Sequence, residues 1–158
     1  FWNEFIKFDK RQIELIGIEA GGPSKSNKHA APLTNNSKIG VLHGAMQYVV
    51  QNKDGQIEET ESISAGLDYS GVSPLHCFLK DTKRARYVSA SDEDALNAYK
   101  LVTKYEKINP SLEPCHAFAI ACKEARKLDK DTIIVVNSCG DAIKDRDILK
   151  SRLGKKYG

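Results

Sequence analysis

The sequence has 158 residues, enough for one domain or for one part of a larger protein. With 41% hydrophobic residues it can build a packed core, which excludes disorder over most of its length. No apolar run reaches the roughly 18 to 20 residues that a membrane helix needs. The formal net charge of +3 is too small and too dispersed to indicate nucleic-acid binding.

The N-terminus and the cysteines provide the context for this sequence. It begins Phe1-Trp2-Asn3 and holds a single methionine, Met46, so we expect a piece of a longer protein. The four cysteines and four histidines are dispersed, which argues against a zinc site or a disulfide framework. Free thiols in a reducing compartment, and hence a cytoplasmic protein, are the expectation.

The first forty residues predict one helix, one strand and a long loop. Apolar residues at helical spacing in residues 1–8 predict the tail of an amphipathic helix. Residues 13–19 form a short apolar run that ends at Gly21-Gly22-Pro23, which predicts a buried strand. Residues 20–40 are rich in Gly, Pro, Ser and Asn and predict a long surface excursion.

The next stretch predicts short extended segments and a loop. Residues 45–50 and 56–62 predict two extended segments around the Asp54-Gly55 turn. Residues 63–74 contain two glycines and a proline and predict a loop, whereas residues 87–89 predict a short strand.

Helices and a strand complete the chain. Ser91 is a candidate N-cap before three acidic residues and an apolar face, which predicts a helix. Pro114 suits the first turn of a second helix, about residues 115–128, whose first two turns are apolar on nearly every side and predict burial. The β-branched run 132–136 predicts a strand covered on both faces, and residues 144–153 predict a polar closing helix. This alternation indicates an α/β fold.

Small polar residues at the end of the predicted strand form the first candidate site. Ligands of open α/β sheets bind beyond the carboxyl ends of strands, which singles out Asn137-Ser138-Cys139-Gly140; an ordinary turn is an equal alternative. Glu113 precedes the buried helix, whose N-terminus would stabilise its carboxylate, and the alternative is a simple cap. Asp68 could orient a substrate hydroxyl or pair with a cation, although a solvated loop aspartate is commoner. His29 and His43 are candidate ligands or bases, although dispersed histidines are more often structural.

Short strings in a fixed order carry a resemblance to a known family. They are Leu15–Gly22, Lys28–Leu33, Gly40–Gly44, Asp54–Thr60, Ser62–Tyr69, Arg86–Ser89, Asp92–Leu96, Pro110–Glu113 and Ile134–Asn137. The sequence resembles the tryptophan synthase β chain through these strings, over essentially its whole length apart from the last dozen residues. The most specific string is Ser62-Ile63-Ser64-Ala65-Gly66-Leu67-Asp68-Tyr69.

The resemblance implies that residues 1–158 are the C-terminal, pocket-wall part of a fold-type II pyridoxal-phosphate enzyme, with a mostly parallel sheet flanked by helices. The full-length chain would be a carbon–oxygen lyase that condenses L-serine with indole to L-tryptophan by β-replacement. The family's Schiff-base lysine, general-base glutamate and glycine-rich phosphate loop would lie upstream of Phe1. We therefore expect these residues to be inactive by themselves.

The resemblance also implies roles in cofactor binding. Glu113 matches a glutamate near the cofactor ring, and Cys139 stands where the family usually has a serine that bonds the pyridine nitrogen. Because a thiol is a poorer donor than a hydroxyl, neighbouring Ser138 is an alternative donor, with Gly140 as the last residue of this cofactor-binding loop. The string Gly140-Asp141-Ala142-Ile143 departs from the usual Gly-Arg-Gly-Asp, which removes an Arg and an Asp associated with the active-site gate.

Further roles implied by the resemblance concern substrates, cation and partners. Asp68 matches an aspartate that contacts substrate and helps the closed state form. Leu42 and His43 match the lining of an indole tunnel, and residues 38–56 match the surface near the α chain. A monovalent cation, Na⁺ or K⁺, would bind backbone carbonyls of the residues Ala30, Leu67 and Tyr69. The expected partners are a tryptophan synthase α chain and a second β chain.

Two alternatives remain beside this catalytic interpretation. The altered loop from Ser138 to Ile143 could mark a non-catalytic β-like module kept for binding or assembly. A sister fold-type II lyase, such as threonine synthase or serine dehydratase, is a weaker alternative. The string from Ser62 to Asp68 argues against that second alternative.

Overall fold

A parallel pair of strands forms the centre of the fold, in a computed structural model that describes residues 2–9, 11–35 and 37–157. Strand β1 (Leu15–Ala20) pairs in parallel with β4 (Ala85–Ala90), with no shift in register along all six residue pairs. Both were predicted as strands, and each came out slightly different in length. Parallel neighbours need a long crossover, which here holds the surface excursion, a hairpin and the first helix.

Helices and short 3₁₀ turns complete the architecture. The α-helices of the described residues are α1 (Pro74–Asp81), α2 (Asp92–Tyr105), α3 (Leu112–Ala125) and α4 (Arg146–Leu153). The 3₁₀ turns are Trp2–Glu4, Ala65–Leu67, Ala142–Asp145 and Lys155–Tyr157. Within the part of the chain that the structure describes, no helix is long and apolar enough to cross a membrane. Helices α1 and α3 both contact β4, so the predicted α/β fold with a parallel sheet flanked by helices is confirmed.

The start of α2 shows why this helix was predictable. The Ser91 hydroxyl accepts a hydrogen bond from the Asp94 N–H (3.1 Å), and the Asp94 carboxylate accepts one from the Ser91 N–H (3.3 Å). This reciprocal capping box satisfies two donors that the helix itself leaves open. Helix α2 then packs against α3, and their apolar faces form the main core together with β4 and α4.

Helix α3 begins three residues before its predicted start, because Leu112 and Glu113 already belong to its first turn. Pro114 lies in that first turn, as predicted. Leu112, Cys115 and His116 are fully buried, whereas Ala117 on the other side of the helix is only half-buried and lines an open cleft. The prediction of burial on nearly every side therefore holds for one face only.

The predicted N-terminal helix is reduced to the 3₁₀ turn Trp2–Glu4, followed by irregular turns. The Arg84 guanidinium binds the backbone carbonyls of Phe5 (2.6 Å), Ile6 (2.9 Å) and Ile13 (3.2 Å). The carbonyls of Phe5 and Ile6 lie in the second half of the predicted helix and bind Arg84, which lies far away in the sequence. Trp2 and Ile6 meanwhile pack on a second core cluster around Leu15, Leu79 and Ala85, which explains the apolar spacing.

The main partner of residues 45–49 is the segment before them, which the sequence analysis did not predict. Strand β3 (Ala45–Val49) pairs antiparallel with β2 (Lys38–Leu42), through a turn at His43-Gly44 in which both residues have positive φ. The turn at Asp54-Gly55 does form, but the segment after it makes only an isolated bridge between Gln51 and Ile57. The His43-Gly44 turn closes a shorter loop than the Asp54-Gly55 turn, which favours the pairing of β3 with β2.

The predicted strand at residues 132–136 does not form. These residues have no regular secondary structure, and Ile133 and Val135 are 87% and 69% exposed. A strand of a parallel sheet is held by hydrogen bonds to neighbours, and no strand of the described residues pairs with this segment. It lines a cleft that β1 also lines.

The surface excursion after β1 has no helix or strand within its described residues up to Ser37, as predicted, but it is anchored. The buried Glu19 carboxylate accepts hydrogen bonds from the N–H groups of Leu33 (3.0 Å) and Thr34 (2.9 Å). Burial raises the pKa of Glu19, and these hydrogen bonds partly oppose that effect. The buried side chains of Ala31 and Leu33 follow from this anchoring.

Candidate functional site

One open cleft of about 1190 Å³ brings together much of the predicted site. Its walls are β1, one side of α3 along its whole length and the irregular segment after α3. The loop after Ser64, the N-terminal segment and α1 complete them. The predicted site residues that line it are Ala30, Leu67, Tyr69, Glu113, Asn137 and Cys139. The predicted site residues that do not line it are Leu42, His43, Asp68, Ser138 and Gly140.

Glu113 is a charged group of this cleft whose partners come from two distant segments of the chain. Its Oε1 accepts hydrogen bonds from the Gly66 N–H (2.9 Å) and from Lys144 Nζ (2.7 Å). Burial alone would raise the pKa of Glu113, but interactions with Lys144, with the Ser111 hydroxyl and with the backbone N–H groups of Glu113 and Gly66 outweigh it and lower the pKa to about 2. Glu113 is therefore an ionised carboxylate at neutral pH, in the first turn of α3.

Gly66 has a packing reason to be glycine. A Cβ atom at this position would lie 2.5 Å from Oε1 of Glu113. The absence of a side chain allows the loop backbone to approach the carboxylate closely enough to donate its N–H. The string Ser62–Tyr69 is thereby joined to the start of α3.

The loop Asn137–Gly140 lies beside the N-terminus of α3. The Ser111 hydroxyl donates to the Cys139 carbonyl (3.0 Å), and the Ser111 N–H donates to the Gly140 carbonyl (3.3 Å). Gly140 has φ +78°, and a Cβ atom there would lie 2.8 Å from the Ser111 hydroxyl oxygen, so both conformation and space favour glycine. These contacts place Cys139 and Glu113 on walls of the same cleft even though the predicted strand is missing.

Asp68 points away from the cleft lining and is exposed. Its Oδ1 accepts a hydrogen bond from the Thr60 hydroxyl (2.7 Å). The neighbouring residue Tyr69 does line the cleft, and its hydroxyl bonds Nδ1 of His43 (2.8 Å) at the tip of the β2–β3 hairpin. The structure therefore links the predicted tunnel residue His43 to the cleft through Tyr69. Half-buried Leu42 lies in the same hairpin, close to Gly71.

The predicted cation ligands are backbone carbonyls, whereas His29 is a candidate side-chain ligand. The described residues contain no group of three or more His, Cys, Asp or Glu side chains that could hold a metal ion. The carbonyl of Leu67 accepts the Tyr69 N–H (3.0 Å). His29 accepts a hydrogen bond from the Ala31 N–H at Nδ1 (3.2 Å), which agrees with a structural role.

Lys144 and Asp145 belong to this network, although the sequence analysis did not select them. Lys144 Nζ lies 2.7 Å from Glu113 Oε1 and 3.1 Å from Asp145 Oδ1. Buried Asp145 also accepts the N–H of Leu112 (2.8 Å) at Oδ2, and so caps α3 from a distant part of the chain. Their position in the sequence could have identified them, because both residues follow the candidate loop that contains Gly140.

No family model matches the sequence, but curated relatives do. Tryptophan synthase β chains from Chromobacterium violaceum and Bordetella petrii are 50% identical over 143 residues and 49% identical over 146 residues. The one from Allorhizobium ampelinum is 49% identical over 138 residues. These matches cover 90%, 92% and 87% of this chain but only 36%, 36% and 34% of the relatives, so the chain spans about a third of their length. The resemblance predicted from the sequence is thereby confirmed: the chain is a relative of the tryptophan synthase β chains, with a coverage consistent with a C-terminal portion of such a chain.

Proposed function

We propose that residues 1–158 are the pocket-wall part of a pyridoxal-phosphate-dependent tryptophan synthase β chain, which condenses L-serine with indole to L-tryptophan. The observation that carries the proposal is the pairing of an ionised Glu113 with the Cys139 thiol along one cleft. The full-length protein would be a carbon–oxygen lyase. The 158 residues alone are expected to be inactive, because the family's Schiff-base lysine has no counterpart among them.

The residues of the cleft fit a pyridoxal-phosphate ring. When bound, this cofactor supplies an electron sink for chemistry at the substrate carbon atoms. Cys139 offers a thiol as a weak donor for the pyridine nitrogen, and Glu113 offers a fixed negative charge near the ring. Because Cys139 lines the cleft and Ser138 does not, we favour the thiol over the serine hydroxyl as the contact, with Gly140 shaping the loop.

Asp68 would act on the substrate side of the same pocket. Its present bond to the Thr60 hydroxyl leaves one carboxylate oxygen to accept from substrate, or is exchanged when the pocket closes. The backbone carbonyls of Ala30, Leu67 and Tyr69 would hold a Na⁺ or K⁺ ion. Their support is that all three residues line one cleft, and a carbonyl that already accepts one hydrogen bond keeps a second lone pair.

The β2–β3 hairpin would serve the second substrate and a partner. Leu42 and His43 would line the indole path, which is supported by the hydrogen bond from Tyr69 to His43. Ile39, Val41 and Met46 are 61%, 70% and 70% exposed, which supports contact of residues 38–56 with an α chain. A homodimer of β chains and a cytoplasmic location complete the proposal.

The first test is tryptophan formation by the full-length protein from indole and L-serine, with the absorbance of bound pyridoxal phosphate followed in parallel. Activity together with a cofactor band is the expected result. A full-length protein that neither binds the cofactor nor forms tryptophan would contradict the proposal and leave a non-catalytic module.

The Cys139→Ser variant then tests the pyridine contact. A hydroxyl is the stronger donor, so the variant should bind the cofactor at least as tightly and shift its absorbance maximum. Cys122→Ser is the matched control, because Cys122 is an exposed thiol on α3 that does not line the cleft. Identical spectra for the two variants would exclude Cys139 from the contact.

A further inference from the structure

A chain of charge-assisted hydrogen bonds crosses three distant parts of the sequence behind the cleft. Lys144 Nζ bridges Glu113 Oε1 (2.7 Å) and Asp145 Oδ1 (3.1 Å). Asp145 is 2% exposed and binds the backbone N–H of Leu112 through its other oxygen (2.8 Å). Lys144 is thus held at a fixed place relative to the first turn of α3, the turn that also carries Glu113.

Glu113 connects Lys144 to the loop Ser64–Tyr69, which contains Asp68, the proposed substrate contact. The oxygen that accepts from Lys144 also accepts the Gly66 N–H (2.9 Å), two residues before Asp68. The 3₁₀ turn Ala65–Leu67 then leads directly into Asp68. A change in the position of the Glu113 carboxylate would therefore move the backbone that leads into Asp68 and into the cleft residue Tyr69.

The charges around Glu113 show why Lys144 matters for the ionisation of this carboxylate. The titratable groups beside this carboxylate are Lys144 and Asp145 from the C-terminal segment, and Cys115 and His116 from its own helix. Burial raises the pKa of Cys115 to about 12 and lowers the pKa of His116, so both stay neutral near pH 7. Among these four groups, only the Lys144 ammonium supplies positive charge.

We propose that Lys144 is a positioning residue of this pocket: it fixes the Glu113 carboxylate and, through it, the loop Ser64–Tyr69. The inference rests on the proposed function for the pocket itself. Lys144 does not line the cleft and acts on the chemistry through Glu113. Its side chain is half-exposed, so its removal opens no cavity in the core.

The test uses the full-length protein with pyridoxal phosphate and three variants. Lys144→Met should lower kcat/KM for L-serine by about 10- to 100-fold, the scale of a small displacement of positioned groups. Lys144→Arg, which restores the charge, should recover most of that loss. Lys123→Met is the matched control, since it removes an exposed ion pair to Asp94 (2.8 Å) at the other end of α3.

A pH profile separates positioning from a structural role. With Lys144 present, Glu113 stays ionised down to about pH 2, so the cofactor spectrum should not titrate through this group between pH 5 and 8. In Lys144→Met, burial is no longer opposed by the ammonium, and a new acidic limb should appear in the spectrum and in kcat/KM. In a variant that already carries Glu113→Gln, adding Lys144→Met should lower kcat/KM by almost nothing more.

Hydrogen exchange of residues 62–70 gives a readout that does not depend on activity. Exchange should be faster in Lys144→Met and unchanged in Lys123→Met. The role of Lys144 would be overturned if Lys144→Met and wild type had equal exchange rates or equal pH profiles, or if the losses of kcat/KM in the double variant were additive. If Lys144→Met folds poorly, Lys144→Gln serves in the same comparisons. A wild-type protein without cofactor or activity would instead contradict the proposed function, and the exchange comparison would still test Lys144.

Discussion

Helix α3, packed on α2, buries one face completely, whereas the even more apolar segment 132–136 lies open. Leu112 and Ala95 have exposed fractions of 0%, while Ile133 is 87% exposed. Both regions are apolar in sequence, but α3 has α2, β4 and α4 to pack against, and residues 132–136 have no paired strand among the described residues. Apolar composition therefore supplies the drive to be buried, and the availability of a partner decides whether burial occurs.

The largest expected difference between the two regions is in stability. In the 158-residue chain, Leu112→Ala should lower the free energy of unfolding by about 2–5 kcal/mol, because it leaves a cavity in a closed core. Ile133→Ala should change it by less than about 0.5 kcal/mol, because the side chain is already in water. Urea unfolding measures both values, and equal losses would mean that the segment around Ile133 is packed.

The second prediction concerns the same segment in the full-length protein. We expect residues 132–137 to gain hydrogen-bonded neighbours there, since a β-branched run of this kind is typical of a covered strand. Their amide exchange should then be slower than in the 158-residue chain by a factor on the order of 100. Residues 115–120 of α3 are the internal control, with little change expected. Fast exchange in both proteins would contradict the prediction.

The third prediction concerns the charged wall between the two regions. Because the pKa of Glu113 is lowered to about 2 in the fold from an ordinary value of 4.5, its contribution to stability is fully present above pH 4.5 and is lost as the pH falls through 2. Glu113→Gln should therefore be less stable than wild type by about 1–3 kcal/mol at pH 7.

Unfolding curves at several pH values measure this contribution. The gap between wild type and Glu113→Gln should narrow steadily from pH 4.5 towards pH 2. A gap that stays constant with pH would show that the carboxylate is not held in its ionised form by the fold. Glu106→Gln, at the exposed end of α2, is a control with little expected effect.

The smallest effect is expected at the helix cap in the closed region. Ser91→Ala removes the hydroxyl that accepts from the Asp94 N–H and should cost about 1 kcal/mol. Ser91→Thr keeps the acceptor and should cost less. Thermal unfolding compares the two variants, and equal losses would point to packing at Ser91 instead of capping.

Local signals in the sequence were sufficient where the stabilising contacts are local. The Ser91 cap, the first-turn Pro114 and the short apolar run of β1 each predicted an element that formed. Predictions failed where the outcome depends on distant groups. The predicted strand at residues 132–136 did not form, because no strand of the described residues pairs with it. The pairing of β3 with β2, by contrast, is a local contact that the sequence analysis missed.

The candidate site shows the same division. Sequence and resemblance selected Glu113 and Cys139, and the cleft brings both together. Lys144 was missed because its importance comes from a contact 31 residues away along the chain. The sequence likewise could not predict that Asp68 binds Thr60. The hydrogen-bond partner of a loop carboxylate depends on the conformation of the surrounding backbone.

The sequence by itself determined the α/β class, the capped helix α2, the helix α3 and the relationship to tryptophan synthase β chains. These depend on periodicity, on side chains a few residues apart and on strings that need no coordinates. Only the tertiary structure decided which apolar runs became buried and which groups surround Glu113. The physical reason is that strand pairing and buried charge both depend on partners that are far away in sequence, and folding alone brings those partners together.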